Sequence, residues 1–370
     1  MANQNQPTRI RPDHLLEFCT RVFAHLDVPE DDAWISADVL VSANLRGVDS
    51  HGVARLKRYV AGLRSGQMLP RPQVQVVHET GDTALLDGGG GLGQPIGVRG
   101  MKLALEKAQQ NGTGFVTVRN SNHFGIAGYY PLMAAKEGLV GLAVTNARPS
   151  MSPTFGAQPM LGTNPIAFAA PSDMPFPFCF DGATTIAQRG KIEVAARAEK
   201  PVPAGWVIDD QGRDMTDPDV ILEGLTNETA SMLPLGGAGE AMAGYKGYGL
   251  AVIVEILSAA LSGGPFMHGL SGLNADGSPA PHRLGHYFLA IDVTHYVPLD
   301  VFRGIVGNMA RELQASKKAQ GAERIYVAGE KEYERELAVR AKGVPVNANL
   351  RKTLVFLRDK LSVPGYEAYF

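Results

Sequence analysis

The hydrophobic period of the chain changes abruptly at Pro70-Arg71-Pro72, and this break limits the folds open to it. Before it the pattern is helical. Pro12-Asp13-His14-Leu15-Leu16 opens a helix in which Leu16, Cys19, Phe23 and Leu26 recur at helical spacing. Pro29-Glu30-Asp31-Asp32 opens a second, with acids where the helix dipole favours them, and it reaches about Leu45. A third begins near Ser50 and runs to Ser65-Gly66. After the break come short strand-like runs at 74–77, 83–86, 114–118, 140–144, 165–169, 178–180 and 288–291. Helical patterns at 96–111, 128–137 and 247–261 lie between some of them, and two more, at 333–342 and 349–361, close the chain. This order predicts a mixed α/β fold, too irregular for a repeated βαβ unit, with part of its sheet antiparallel. The helical head and tail are expected to pack as one discontinuous domain, 1–73 with 300–370, around an α/β domain at 74–299.

Composition narrows the functional classes. At 370 residues the chain exceeds a single typical core. Its net charge of -2, with no basic run, gives no electrostatic reason to expect nucleic acid as a partner. No apolar stretch is long enough to span a bilayer, so no membrane partner is expected. The opening MANQNQPTRIRPDHLL has no apolar signal core, which makes the cytoplasm the expected compartment. Cys19 and Cys179 are the two cysteines; both sit among apolar neighbours and read as reduced packing residues.

Asp49-Ser50-His51-Gly52-Val53-Ala54-Arg55 puts a histidine and an arginine four residues apart. On a helix they would share one face. That face would offer a proton carrier near neutral pH and a rigid fork for a carboxylate, and a small hydroxy or keto acid needs both. Two other patterns are weaker. Gly88-Gly89-Gly90-Gly91-Leu92-Gly93 follows a strand and precedes a helix, as a dinucleotide fingerprint does, but five glycines in six residues match easily. Arg119 follows the next strand where that fingerprint would carry an acid. The plainer expectation is a turn at which backbones approach closely. His282 and His286 lack a third ligand at credible spacing, so no metal is expected.

Further segments are more specific. They are Asn122-His123-Phe124-Gly125-Ile126-Ala127-Gly128-Tyr129, Leu161-Gly162-Thr163-Asn164-Pro165-Ile166-Ala167, Asp181-Gly182-Ala183-Thr184-Thr185, Lys246-Gly247-Tyr248-Gly249-Leu250, Gly285 to Asp292, and Gly329-Glu330. Together with Ser50-His51-Gly52 and Arg55, they resemble the type 2 malate/L-lactate dehydrogenase family, in order, over nearly the whole chain. The resemblance implies NAD or NADP as cofactor and a small 2-hydroxy or 2-keto acid, malate or lactate-like, as substrate. It further implies a non-Rossmann, mixed and largely antiparallel sheet with flanking helices, a helical domain formed by both termini, and a homodimer.

Carried over residue by residue, the resemblance makes His51 the proton carrier, with His123 in the same pocket. His123 is the alternative carrier; its other role would be to bond the C2 oxygen. Arg55 would clamp the carboxylate, and Ser50, Thr163 and Asn164 join it as substrate contacts, although Ser50 serves equally as a helix cap. The cofactor segments would be Asp181, Gly182, Ala183 and Thr184; Lys246 and Gly247; and Gly329 and Glu330. Lys246 before a helix suits a phosphate. Arg148 lies in a loop that could face substrate, and Arg189 and Lys191 could meet a 2′-phosphate. Two alternatives stay open: reduction of a cyclic imino acid or other 2-keto acid, and a non-catalytic dinucleotide-binding protein. His51, Arg55, His123 and Lys246 together argue against the latter.

Overall fold

The computed structural model describes residues 8–370. The first seven residues, on which the expectation of no leader partly rests, lie outside it. The head contains β1 (Thr8–Ile10), α1 (Pro12–Ala24), α2 (Glu30–Leu45) and α3 (Leu56–Arg64). Next come β2 (Gln75–Glu79), β3 (Thr83–Asp87), α4 (Gly93–Asn111), β4 (Thr113–Ser121), α5 (Tyr129–Lys136), β5 (Val140–Thr145), β6 (Ile166–Ala170) and β7 (Phe178–Gly182). A small unit follows, with α6 (Arg189–Arg197), β8 (Val207–Asp209), α7 (Pro218–Asn227) and β9 (Ala230–Met232). The chain ends with α8 (Gly244–Glu255), β10 (Leu284–Ile291), α9 (Leu299–Ala315), α10 (Glu330–Lys342), β11 (Val344–Val346) and α11 (Ala348–Lys360).

Seven strands form the central sheet in the order β2-β3-β4-β10-β5-β6-β7. Every neighbouring pair is antiparallel except β3 and β4. This is the mixed, mostly antiparallel α/β architecture that the alternating periods predict. Helices α4 and α5 cover one face, burying Met101, Ala104, Tyr130 and Ala134 against Val116, Val118, Ala143 and Phe288. The end of α8 continues as one π turn over Ile256–Ala260, against β10.

Head and tail share one core. Phe18, Val22, Phe23, Leu40 and Tyr59 pack with Val339, Leu354, Leu357, Tyr366 and Phe370. β1 pairs with β11, which ties the two ends of the chain together. In the tail this core begins at Val339 rather than at 300. Helix α9 instead lays Leu299 and Phe302 against Val140, Ala170 and Val293, beside the sheet. The small unit has a core of its own, from Ile192, Val207, Ile221 and Met232, and Asp217 caps α7 by accepting the Asp219 and Val220 N–H groups.

The glycine-rich turn does join β3 to α4 in a single parallel βαβ crossover. Its glycines serve packing, because a Cβ at Gly91 would collide with Pro72 and one at Gly93 with the Asn122 carbonyl. Arg119 donates to Asp87 at 2.9 Å. No helix among the described residues is long and apolar enough to cross a membrane.

Candidate active site

A cleft of about 780 Å³ opens where the helical head meets one end of the sheet, beside the loops that follow β4 and β5 and the starts of β6 and β10. Ser50, His51, Arg55, His123, Thr163, Asp181, Ala183 and Gly329 all line it, so segments far apart in sequence converge here. The volume lies in the range of small-ligand and cofactor sites.

The expectation that one helix carries His51 and Arg55 is corrected by the backbone. Two separate 3₁₀ turns, Asp49–His51 and Val53–Arg55, meet at Gly52, which is extended. Helix α3 starts only at Leu56. Gly52 is pressed against Asn44, whose Oδ1 accepts the Val53 N–H at 2.8 Å. Arg55 is held by its own turn, its Nε donating to the Ser50 carbonyl at 2.6 Å. Its two terminal nitrogens are thereby left to the cleft.

His51 and His123 stack with ring centroids 5.5 Å apart and planes 17° from parallel. Ser50 Oγ lies 3.0 Å from His51 Nδ1. His123 Nδ1 receives the Tyr59 hydroxyl at 2.6 Å and the Gly125 N–H at 3.3 Å. His51 is half-buried, and desolvation, helped by Arg55 and Arg58, pushes its pKa down to about 4. His123 is driven in the same direction, well below its ordinary value, by burial and by the same cations. Both rings are neutral at pH 7, as a proton acceptor requires.

Five arginines line the cleft; Arg46 and Arg189 pair with Glu336 and Glu193, whereas Arg55, Arg58 and Arg148 have no carboxylate within ion-pair distance among the described residues. Arg58 and Arg148 reach the cleft water, and His282 is close to both. Burial by the surrounding protein, with repulsion from Arg55 and Arg148, lowers the pKa of Arg58. This unbalanced positive charge suits an anion.

Asp181 and Glu332 are the acids that line the cleft, and Asp181 sits at the end of β7. Its Oδ2 accepts the Gly128 N–H at 2.7 Å, while Oδ1 has no partner among the described residues. It is open to the cleft yet enclosed by protein elsewhere, so burial pushes its pKa up to about 6, a value that water in the cleft moderates. A free carboxylate oxygen at the end of β7, beside the backbone of Ala183 and Gly329, fits a carboxamide or ribose donor of a nicotinamide cofactor.

Other expected contacts lie behind the wall. Asn164 is fully buried; its amide nitrogen donates to the Ala251 carbonyl and Glu255, while its Oδ1 has no partner among the described residues. Thr184 ties down the Thr163 and Asn164 carbonyls. Glu330 is 2% exposed and bonds to the Val327 N–H, Gln314 and Arg324. Gly182 sits at the end of β7 against the Phe180 ring, and Gly247 packs on the Leu235 backbone. Lys246 is exposed, outside the cleft wall, with its ammonium near the Tyr245 ring. Arg189 does line the cleft, whereas Lys191 lies over Trp206. His282 lines it too, while His286 is buried between Thr145 and Ser121; among the described residues no three metal-ligating side chains converge. Sequence reasoning missed Arg58 and Tyr59, although they follow Arg55 at the spacings that share a helix face.

Residues 10–355 match the model of the malate/L-lactate dehydrogenase family. The chain belongs to that family. It is 44% identical over 358 residues to the malate dehydrogenase of Pyrococcus horikoshii, covering 96% of each chain. It is 37% identical to the L-sulfolactate dehydrogenase of Methanocaldococcus jannaschii, covering 96% of this chain and 97% of the other. The crystal structure of malate dehydrogenase from Entamoeba histolytica superposes with a TM-score of 0.94 at 40% identity, over 97% of this chain and 99% of that one. The protein is a 2-hydroxy acid dehydrogenase, and its family implies a nicotinamide cofactor.

Proposed function

We propose that the cleft oxidises, reversibly, a small 2-hydroxy acid bearing a second anionic group, with malate as the model substrate. The observation that carries this reading is the cluster of Arg55, Arg58 and Arg148, without counter-carboxylates, beside the stacked His51 and His123. Arg55 grips the C1 carboxylate through its free fork. Arg58 and Arg148 take the second anion. His51 Nε2 takes the hydroxyl proton, with its Nδ1–H turned to Ser50 Oγ. When bound, the nicotinamide supplies the hydride acceptor at C2. Asp181, Ala183 and Gly329 line its place, and Lys246, Gly182, Thr184, Gly247 and Glu330 act at most from outside the cleft surface.

Following reduced nicotinamide by absorbance, with malate, sulfolactate and lactate against NAD and NADP, tests the proposal. A charge-assisted bond to the second anion should favour the two dianions in kcat/KM by about 10- to 100-fold over lactate. Lactate turned over equally well would remove the second anion subsite.

The helical head and tail are taken as one structural domain and the sheet as the other. We take the enzyme to work as a homodimer in the cytoplasm. Two observations support this: apolar residues stand exposed along α8 (Leu250, Ile253) and α9 (Val301, Ile305, Met309, Leu313), and both thiols are buried and unpaired. Light scattering on the purified chain would show twice the 39.5 kDa mass if the dimer forms.

A further inference from the structure

Tyr59 is fully buried in the helical core on α3, its ring edge-on to Phe23. Only its hydroxyl leaves that core, and it ends 2.6 Å from His123 Nδ1. The Gly125 backbone N–H addresses the same nitrogen at 3.3 Å. A backbone N–H can only donate, so Nδ1 must carry the lone pair. The Tyr59 hydroxyl, facing an acceptor, must then donate as well. The ring proton of neutral His123 is thus on Nε2, the edge that neither Tyr59 nor Gly125 occupies. Burial, with Arg58 and Arg55 nearby, keeps the ring from taking a second proton.

We propose that Tyr59 is a positioning residue that locks His123 as its Nε2–H tautomer, so that His123 donates a hydrogen bond to the C2 oxygen and cannot accept the hydroxyl proton. The assignment rests on the hydroxy acid reading of the cleft. It decides between the two imidazoles. The only His123 nitrogen with a lone pair is already occupied by two donors, whereas His51 Nε2 has no partner among the described residues. In oxidation the O–H bond breaks toward His51, and its electrons form the C2 carbonyl as the hydride leaves C2. His123 holds that oxygen throughout and neither gains nor loses a proton. The lock also links the two layers of the molecule, since Tyr59 belongs to the helical core and His123 to the loop after β4.

The test is NMR of the full chain with 15N-labelled histidine, assigning His123 by the signals lost in His123→Gln. Between about pH 6 and 8, Nδ1 should resonate as the unprotonated nitrogen and Nε2 as the protonated one. Tyr59→Phe should bring in the other tautomer. It should also lower kcat about tenfold while leaving KM for the acid within about twofold. In a His123→Gln background the same change should cost nothing further, which a purely structural role could not produce. Protonated Nδ1 in the unmodified protein, or losses that simply multiply, would overturn the lock. The NMR measurement needs no substrate: an enzyme inert toward every hydroxy acid would sink the proposed function and leave the tautomer to be read directly. If Tyr59→Phe fails to fold, the spectrum of the unmodified protein still decides.

Discussion

His51 has the pKa of a base kept out of water, pushed down to about 4 by burial and by Arg55 and Arg58. A base must be neutral to act, so kcat/KM for hydroxy acid oxidation should stay level from about pH 8 down to about pH 6. An unshifted imidazole would already have lost about half its activity at about 6.5. In the reverse direction the protonated ring is needed and is scarce, so kcat/KM for the keto acid should rise about tenfold per unit as pH falls across the same range. A midpoint at 6.5 in the oxidation profile would show that the cleft is too wet to depress the group. A second residue-scale expectation concerns Arg148. Arg148→Met keeps the stem and removes the charge, and should cut kcat/KM for malate about 10- to 100-fold while leaving lactate untouched. Equal losses for both acids would place Arg148 at the shared carboxylate. The sequence pointed to His51, Arg55 and His123 because their residue types have few uses side by side, and the fold brings all three to one cleft. It set Asn164 and Glu330 at the ligand, whereas the fold buries both behind the cleft wall, because a side chain that braces a site recurs in the same motifs as one that touches the ligand. Only burial separates the two, and burial is a property of the fold. Tyr59 escaped because its function is a single hydroxyl at the edge of an otherwise apolar core residue.

Strand β10, at the centre of the sheet, carries an imidazole that the chemistry does not use. His286 is fully buried, stacked on Phe124, and bonded to Thr145 on β5 and Ser121 on β4, each at 2.7 Å. It ties three adjacent strands through one side chain. Desolvation lowers its pKa to about 3, so the folded protein refuses a proton that the unfolded chain accepts at the ordinary 6.5. The associated stability is fully present above 6.5 and is lost as pH falls toward 3; by pH 5 roughly 2 kcal/mol should be gone. Urea unfolding of the native chain and His286→Gln at pH 7.5 and pH 5 reads this directly. The variant should start lower, having lost its ring packing, and then lose about 2 kcal/mol less on acidification. Parallel acid losses in the two proteins would mean that the ring is hydrated and does not set the slope. At this scale α2 and α4 were legible, whereas α9, 17 residues long, was not anticipated. A 3.6 period closed by Asn111-Gly112 locates α4, and Pro29 followed by first-turn acids locates the start of α2, each to within a few residues. The partners of β10 were not, because pairing a strand at 284–291 with strands at 113–121 and 140–145 depends on contacts that local periodicity does not encode. The three-residue strands β8 and β9 are too short to show any period.

At the scale of the whole molecule, the proposed reaction centre is divided between two packed cores. His51 and Arg55 belong to the turns of the helical head, whereas His123 follows β4 and precedes Phe124, which packs into the core of the sheet. The 5.5 Å ring stacking therefore measures how the two layers sit on each other. Helix α2 forms the junction, buried on nearly every side between α1 and α4. Its pattern is barely amphipathic, which is why the sequence suggested that head and tail combine but not which helix meets the sheet layer. Besides the Tyr59–His123 bond, two polar links run from α2 across the junction. Arg99 on α4 donates to both carboxylate oxygens of Asp32, at 2.8 and 2.9 Å, and the Tyr129 hydroxyl on α5 donates to Asp38 at 2.7 Å. Each is worth little to stability by itself, about 1 kcal/mol net. Their geometric value is larger, because a displacement of about 1 Å between reacting groups can cost up to about a hundredfold in rate. The near-isosteric pair Asp32→Asn with Tyr129→Phe should therefore lower kcat about tenfold or more while changing the unfolding free energy by no more than about 2 kcal/mol. The His51–His123 stacking, read by the ring shifts in the same NMR spectra, should loosen with it. If kcat holds while unfolding shifts by the expected amount, the two α2 links contribute stability without aligning the site, and apolar packing with the Tyr59–His123 bond sets the register of the two cores.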